Sequence, residues 1–341
     1  MVTLAALLVS AGGCGGGGGG GSVPPPIVSQ AVYVTNDNNS VTQYMLGQRG
    51  NVTPKMTLAG NLTQLDNPAG IAVDALHSIY VANTNADSIT IYPAGAKGNV
   101  APSATIAGSN TLLSGPDGLV LDNAGNIYVA DSGNDSITIY PADSNGNVAP
   151  SAVISGPSTG LNEPIGIALD SAGNIYVANF AADSVTEYAA GGNGDVAPTA
   201  TIAGADTQLV YPEGIAVDSL GDIFVTNQND FVNFVVAEFP PGSTGDAIPS
   251  KTITGTKTGL NFPIGIILDR HNRLAVANAD QDTAANSSLT LYSKLATGNA
   301  APSATIKGAN TGLLGPLFLA VPATPVPTAT PTPTSTPTPV P

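Results

Sequence analysis

Short runs of β-branched and aromatic residues alternate along this chain with clusters of Gly, Asn, Asp and Pro, and the 3.6-residue apolar stripe of an amphipathic helix is absent. One stretch holds four such runs in succession: Gly70–Asp74, Ile79–Asn83, Ser88–Tyr92 and Ser103–Ala107. Their composition and punctuation predict four short antiparallel strands. The set returns almost word for word from Gly70, Gly118, Gly166, Gly214 and Gly265, with spacings of 48, 48, 48 and 51 residues. A period of that length with four strands per unit predicts the blades of a propeller. The first two strands of a unit are joined by turns such as Asp122-Asn-Ala-Gly-Asn126, whose Gly and Asn accept the positive φ of a hairpin.

The ends set the blade count. Ala31–Asn36 matches the second strand of the unit, and Ser40–Tyr44 and Thr53–Leu58 match the third and fourth. The missing first strand lies at Gly315–Val321, which matches Gly115–Val120. Pairing the two ends closes a ring and removes two open sheet edges. The expectation is an all-β fold: a six-bladed β-propeller over residues 31–321, closed by the C-terminal strand joining the N-terminal blade.

Composition adds what surrounds that ring. Residues 1–14 read as an export signal, an apolar run ending in Ser10-Ala-Gly-Gly13 before Cys14, the sole cysteine. This segment resembles the lipobox of bacterial lipoproteins, which implies lipidation at Cys14 and an exported, membrane-anchored protein of the cell envelope. An ordinary secretory signal is the other reading. Residues 15–30 begin with seven glycines and read as a flexible tether; residues 322–341 are Pro/Thr-rich and read as an extended tail. The net charge of −15, with 9 Lys plus Arg against 24 Asp plus Glu, argues against nucleic-acid partners and leaves membrane contact to the lipid anchor. A monomer is expected.

The motif Pro-x-Gly-Ile-Ala-Val-Asp followed by Ile-Tyr-Val-Ala-Asn resembles NHL-repeat propellers and the gluconolactonase-like six-bladed superfamily, and Tyr33-Val-Thr-Asn36 resembles surface-layer YVTN propellers. The absence of Trp removes WD and kelch signatures. The resemblance implies a fold more than an activity, because propellers host unrelated functions.

Candidate chemistry sits where the repeat departs from itself. Each blade ends its second strand in an amide or acid: Asn36, Asn83, Asp131, Asn179, Asn227 and Asn278. Just before each first-strand glycine, or Phe318 in the last blade, sit Ala69, Asp117, Ile165, Glu213, Ile264 and Leu317. Asp117, Asp131, Glu213, Asn179 and Asn227 with water supply the hard oxygens that Ca2+ or another divalent cation prefers. Gluconolactonase-like enzymes place such an ion on the axis. Strand-end capping by each Asn is the other reading, and uniform recurrence favours it. Phe180, Tyr211, Phe231 and Phe262, with Phe234, fall in loops of one sector and offer flat apolar area to a ligand; packing beneath the longer fourth-repeat insertion is the alternative. His77 and His271, the only histidines, fall in hairpin turns of the opposite face, which disfavours a catalytic triad. The reading that follows is a surface-tethered, non-enzymatic binding or scaffold module for a polysaccharide, peptide or protein. A metal-dependent hydrolase or lactonase with its ion at the channel mouth is the alternative.

Overall fold

The computed structural model describes residues 30–228, 234–280 and 286–323. They form six four-stranded antiparallel sheets arranged as blades around an axis. Blade I runs from its inner strand a (Pro68–Val73) through b (Ile79–Asn83) and c (Ser88–Tyr92) to its outer strand d (Ala104–Ala107). Blades II to V repeat the order from inner strands Pro116–Leu121, Pro164–Leu169, Pro212–Val217 and Pro263–Leu268. Blade VI is composite: Pro316–Ala320 is its inner strand, and Ala31–Asn36, Ser40–Met45 and Met56–Ala59 are b, c and d. The ring closes through Tyr33 opposite Ala320, Val34 opposite Leu319 and Asn36 opposite Pro316.

Inner strands begin two residues earlier than the pattern predicts. Pro68 already pairs with Asn83 across a bulge, and the same irregularity recurs at Pro116, Pro164, Pro212 and Pro263. Proline fits there because a bulge leaves its missing N–H without consequence for the ladder.

Alternate side chains of each blade pack in opposite directions, which is how a two-residue period builds a ring of stacked sheets. Val81 belongs to the cluster shared with blade VI, containing Tyr33, Val41 and Leu58, whereas Ala82 belongs to the cluster shared with Leu119, Ile127 and Val129 of blade II. Six such clusters fill the six blade junctions. Each fully buried Val, Leu or Ile contributes about 1.5–3 kcal/mol. Outer edges are covered as well. The connection from c to d lies beside the outer strand of the preceding blade, with bridges such as Leu58 to Gly98 and Ile106 to Gly146, so each outer edge is partly covered.

Two further devices hold the ring. Glycine lets neighbouring inner strands touch: a Cβ built on Gly166 would lie 2.3 Å from the Glu213 carbonyl oxygen, and one on Gly118 2.3 Å from that of Ile165. A buried tyrosine at the end of strand c latches five of the six blades to the loop entering them. Tyr92, Tyr140, Tyr188 and Tyr292 donate to the carbonyls of Thr63, Thr111, Thr159 and Thr258 at 2.5, 2.5, 2.7 and 2.6 Å, and Tyr44 does so to Thr311. Burial pushes the Tyr92 hydroxyl up to about 12, so it stays a donor. Blade IV has Phe239 in this place, fully buried, with Thr207 folded as its counterparts are. Phe239→Tyr is therefore expected to stabilise the protein by about 1 kcal/mol. Thermal melts check this, with a rise of roughly 2–4 °C expected; an unchanged or lower midpoint would remove the latch from the stability of the other blades.

The inner strands border a channel lined by apolar side chains and by their own backbone N–H and C=O groups. Below the glycine level come three rings, the first of Ile71, Leu119, Ile167, Ile215, Ile266 and Leu319, the last of Val73, Leu121, Leu169, Val217, Leu268 and Val321. Loops from b to c and from d to the next a share one face, the loop face; the a–b hairpins with His77 and His271 share the other.

Candidate functional site

The six strand-end residues of the loop face are fully buried. In each, Oδ1 accepts a backbone N–H of the incoming loop: Asp66 to Asn83, Ser114 to Asp131, Asn162 to Asn179, Val210 to Asn227, Asn261 to Asn278 and Leu314 to Asn36, at 2.6–3.4 Å. The amides of Asn36, Asn83, Asn179 and Asn278 donate onward to the strand-c hydroxyls of Thr42, Thr90, Thr186 and Thr290 at 3.0–3.1 Å. Blade IV has Ala237 instead of Thr, and the Asn227 amide turns to the Gln208 carbonyl. In blade II polarity reverses, with Thr138 donating to Asp131 Oδ2 at 2.6 Å. These residues staple loop to blade.

Asp117 and Glu213 do not belong to that set. Asp117 accepts hydroxyl bonds from Thr84, at 3.4 Å, and from Ser132; burial pushes its carboxyl up to about 6. Glu213, 7% exposed, accepts from Gln228 Nε2 at 2.5 Å. Burial pushes it up to about 7, and the charges of Asp117 and Glu163 add to the shift. Among the described residues no group of three or more His, Cys, Asp and Glu could hold a metal ion. Of the five residues expected to share a cation, Asp131, Asn179 and Asn227 bind loop backbone, and the charge of Asp117 acts on both Glu213 and Asp131.

Burial also pushes Asp131 up to about 7, against the bonds from Thr138 and Ser114 that favour its charged form. The unfolded group titrates near 3.8. With the folded value the higher one, stability is fully present below about pH 4 and is lost as pH rises through about 7. Asp131→Asn, which restores the staple of the other blades, is expected to stabilise the protein by on the order of 2–4 kcal/mol at pH 8 and scarcely at pH 4. Equal shifts in melting temperature at both pH values would contradict this.

The aromatic residues meet in pairs. Phe180 opens a single helical turn after strand b of blade III, and its ring centroid lies 5.0 Å from that of Tyr211, tilted by 31°. Phe262 and Phe234 are 4.9 Å apart, tilted by 50°. One pair spans blades III and IV, the other IV and V. Phe231 lies outside the described residues. Tyr211 and Phe262 directly precede the inner-strand prolines, and this position is left-handed in every blade: Asn67, Gly115, Glu163, Tyr211, Phe262 and Gly315 have φ of 47–55°. Bulky residues adopt it at a cost of about 1–2 kcal/mol each. What holds it is a clamp from the preceding blade, in which Asp87, Asp135 and Asp183 accept the N–H of Gly115, Glu163 and Tyr211 at 2.8, 2.6 and 2.8 Å. Asp87, Asp135 and Asp183, each directly before the serine that opens strand c, are thus inter-blade clamps. Their constant spacing of 28 residues from the clamped position was the available signal.

Comparison with known proteins agrees with this architecture. The NHL repeat family model matches residues 113–140, which run from the incoming loop of blade II through its strands a, b and c. No curated protein sequence matched. A Bacteroides caccae protein of unknown function is similar with a TM-score of 0.63 at 12% identity, covering 86% of this chain and 98% of that one. A putative 6-phosphogluconolactonase from Bacteroides fragilis gives 0.57 at 15% identity, covering 87% and 99%. A chain of a nidogen/laminin complex gives 0.57 at 17% identity, covering 86% and 98%. At such identities the likeness concerns the fold. The observed ring makes this chain a six-bladed β-propeller, one stretch of which, residues 113–140, matches an NHL repeat.

Proposed function

We propose that this propeller is a surface-tethered, non-enzymatic binding module that takes a polysaccharide or peptide on its loop face. The observation that carries the reading is the two aromatic pairs at consecutive blade junctions, held on left-handed backbone and flanked by polar loops. Paired rings offer flat apolar area to a sugar face or a side chain, and neighbouring amides and carboxyls supply orientation. The chain ends support the same arrangement. Gln30 is bound by Leu46 and by Arg270 of a hairpin, and the Ala323 N–H donates to Val73 at the end of an inner strand, so both ends leave by the hairpin face. A tether at either end then presents the loop face outward. Cys14 and most of both tails lie outside the described residues.

Screening envelope polysaccharides and peptides for binding, then repeating with Phe180→Ala/Tyr211→Ala, tests this. A tenfold to hundredfold loss of affinity is expected with the melting temperature nearly unchanged. Retained binding would sink the assignment. Asp117 and Glu213, with the fold likeness to a putative 6-phosphogluconolactonase, carry the alternative of a metal-dependent lactonase. A melting temperature that rises with millimolar calcium, together with a bound ion by elemental analysis, would reverse the ranking.

A further inference from the structure

The central channel encloses about 290 Å3, and every residue lining it is Gly, Ala, Val, Leu, Ile or Phe. Its middle ring consists of Ala72, Val120, Ala168, Ala216, Ile267 and Ala320, so four of six positions carry only a methyl group. With Ile/Leu and Val/Leu rings above and below, the lining spans roughly 7–10 Å along the axis. Phe318 lines the end toward the loop face, where the other blades have glycine, and Ala323 lines the end toward the hairpin face. Apolar cavities of roughly 150 Å3 already stay dry and take up benzene-sized molecules. This one is about twice that, close to the lower size of small-molecule pockets.

We propose that the channel is a binding site for an uncharged aliphatic molecule. Its chemistry selects the occupant. The polar groups of the lining are backbone N–H and C=O of the inner strands, so a charged group drawn into it loses its hydration and meets no counter-charge. No Lys or Arg lines the channel, and Asp117 and Glu213 directly precede its lining residues Gly118 and Gly214, so an anionic head is repelled at that end. The site is separate from the aromatic pairs, which sit on loops above the blade junctions.

Calorimetry of the full chain with 1-octanol and with octanoate at pH 8 tests the proposal. Expected are saturable one-site binding of the alcohol with a negative heat-capacity change, a melting temperature raised by about 2 °C or more at saturation, and octanoate at least tenfold weaker. Ala168→Leu/Ala216→Leu fills the middle ring and is expected to lower octanol affinity at least tenfold while melting cooperatively. Absence of saturable octanol binding, octanoate as tight as octanol, or a folded double variant that binds as before each overturns it. If the double variant does not melt cooperatively, the unchanged protein crystallised under xenon decides: xenon on the axis at the level of Ala168 supports the site, and an axis without xenon there overturns it.

Discussion

Deleting residues 316–341 is expected to abolish cooperative unfolding, because it removes the inner strand of blade VI. Without Pro316–Ala320, strand Ala31–Asn36 keeps only Ser40–Met45 as a partner and presents a bare inner edge, and the inner strands of blades V and I lose the neighbour between them. Leu319 leaves the cluster shared with Ala275, Leu289 and Ile306, and Ala320 leaves the one shared with Ile71 and Val81. A polar bridge goes with them: Thr35 Oγ1 accepts the Phe318 N–H at 3.0 Å and donates to the Ala69 carbonyl at 2.6 Å. Two junctions of a closed ring thus fail together, and the other four inherit an open end. Circular dichroism melts and size-exclusion chromatography check this, with a chain ending at Ala323 as the control that keeps every pairing of the closure. A cooperative transition within about 5 °C of the full chain would show that the ring does not depend on its composite blade.

Gly166→Val is expected to cost at least about 3 kcal/mol, seen as a melting temperature lowered by roughly 6–12 °C. The Cβ position is 2.3 Å from the carbonyl oxygen of Glu213 and 3.1 Å from the N of Ile215, both backbone of the neighbouring inner strand. Backbone cannot rotate out of the way as a side chain can, so blades III and IV must separate. Separation also opens the cluster that joins Ala168 and Tyr176 to Ile215 and Val225. The comparison is Gly146→Ala, whose φ is +79° but whose Cβ would meet nothing within 4 Å. It is expected to cost only about 1–2 kcal/mol of backbone strain. Equal losses in the two variants would refute close approach as the reason for the inner-strand glycines.

Placement of the site was legible only where chemistry interrupts the repeat. Asp117 and Glu213 stand out because Ala69, Ile165, Ile264 and Leu317 hold their places elsewhere, and the two do interact through space. Asp131 stands out equally as a letter, yet it performs the same staple as its amide counterparts because its environment is theirs. A residue type does not reveal whether its oxygen faces solvent or a backbone N–H seventeen residues upstream. The aromatic group was read as one patch, and the described members form two pairs, since the junctions between blades III, IV and V set which rings meet.

By itself the sequence determined the strands, the blade count and the closure. Those follow from local alternation of apolar and polar residues, from turn residues at a constant period and from the matching of two chain ends, all of which are written in short stretches. Tertiary structure decided what each exceptional side chain does. The clamp from Asp183 to Tyr211, the redirected amide of Asn227 and the apolar lining of the channel depend on how one blade is set against the next. That setting is fixed by close contact of backbones far apart in the chain, where a difference of an ångström separates a hydrogen bond from a clash, and a periodic pattern carries no information at that scale.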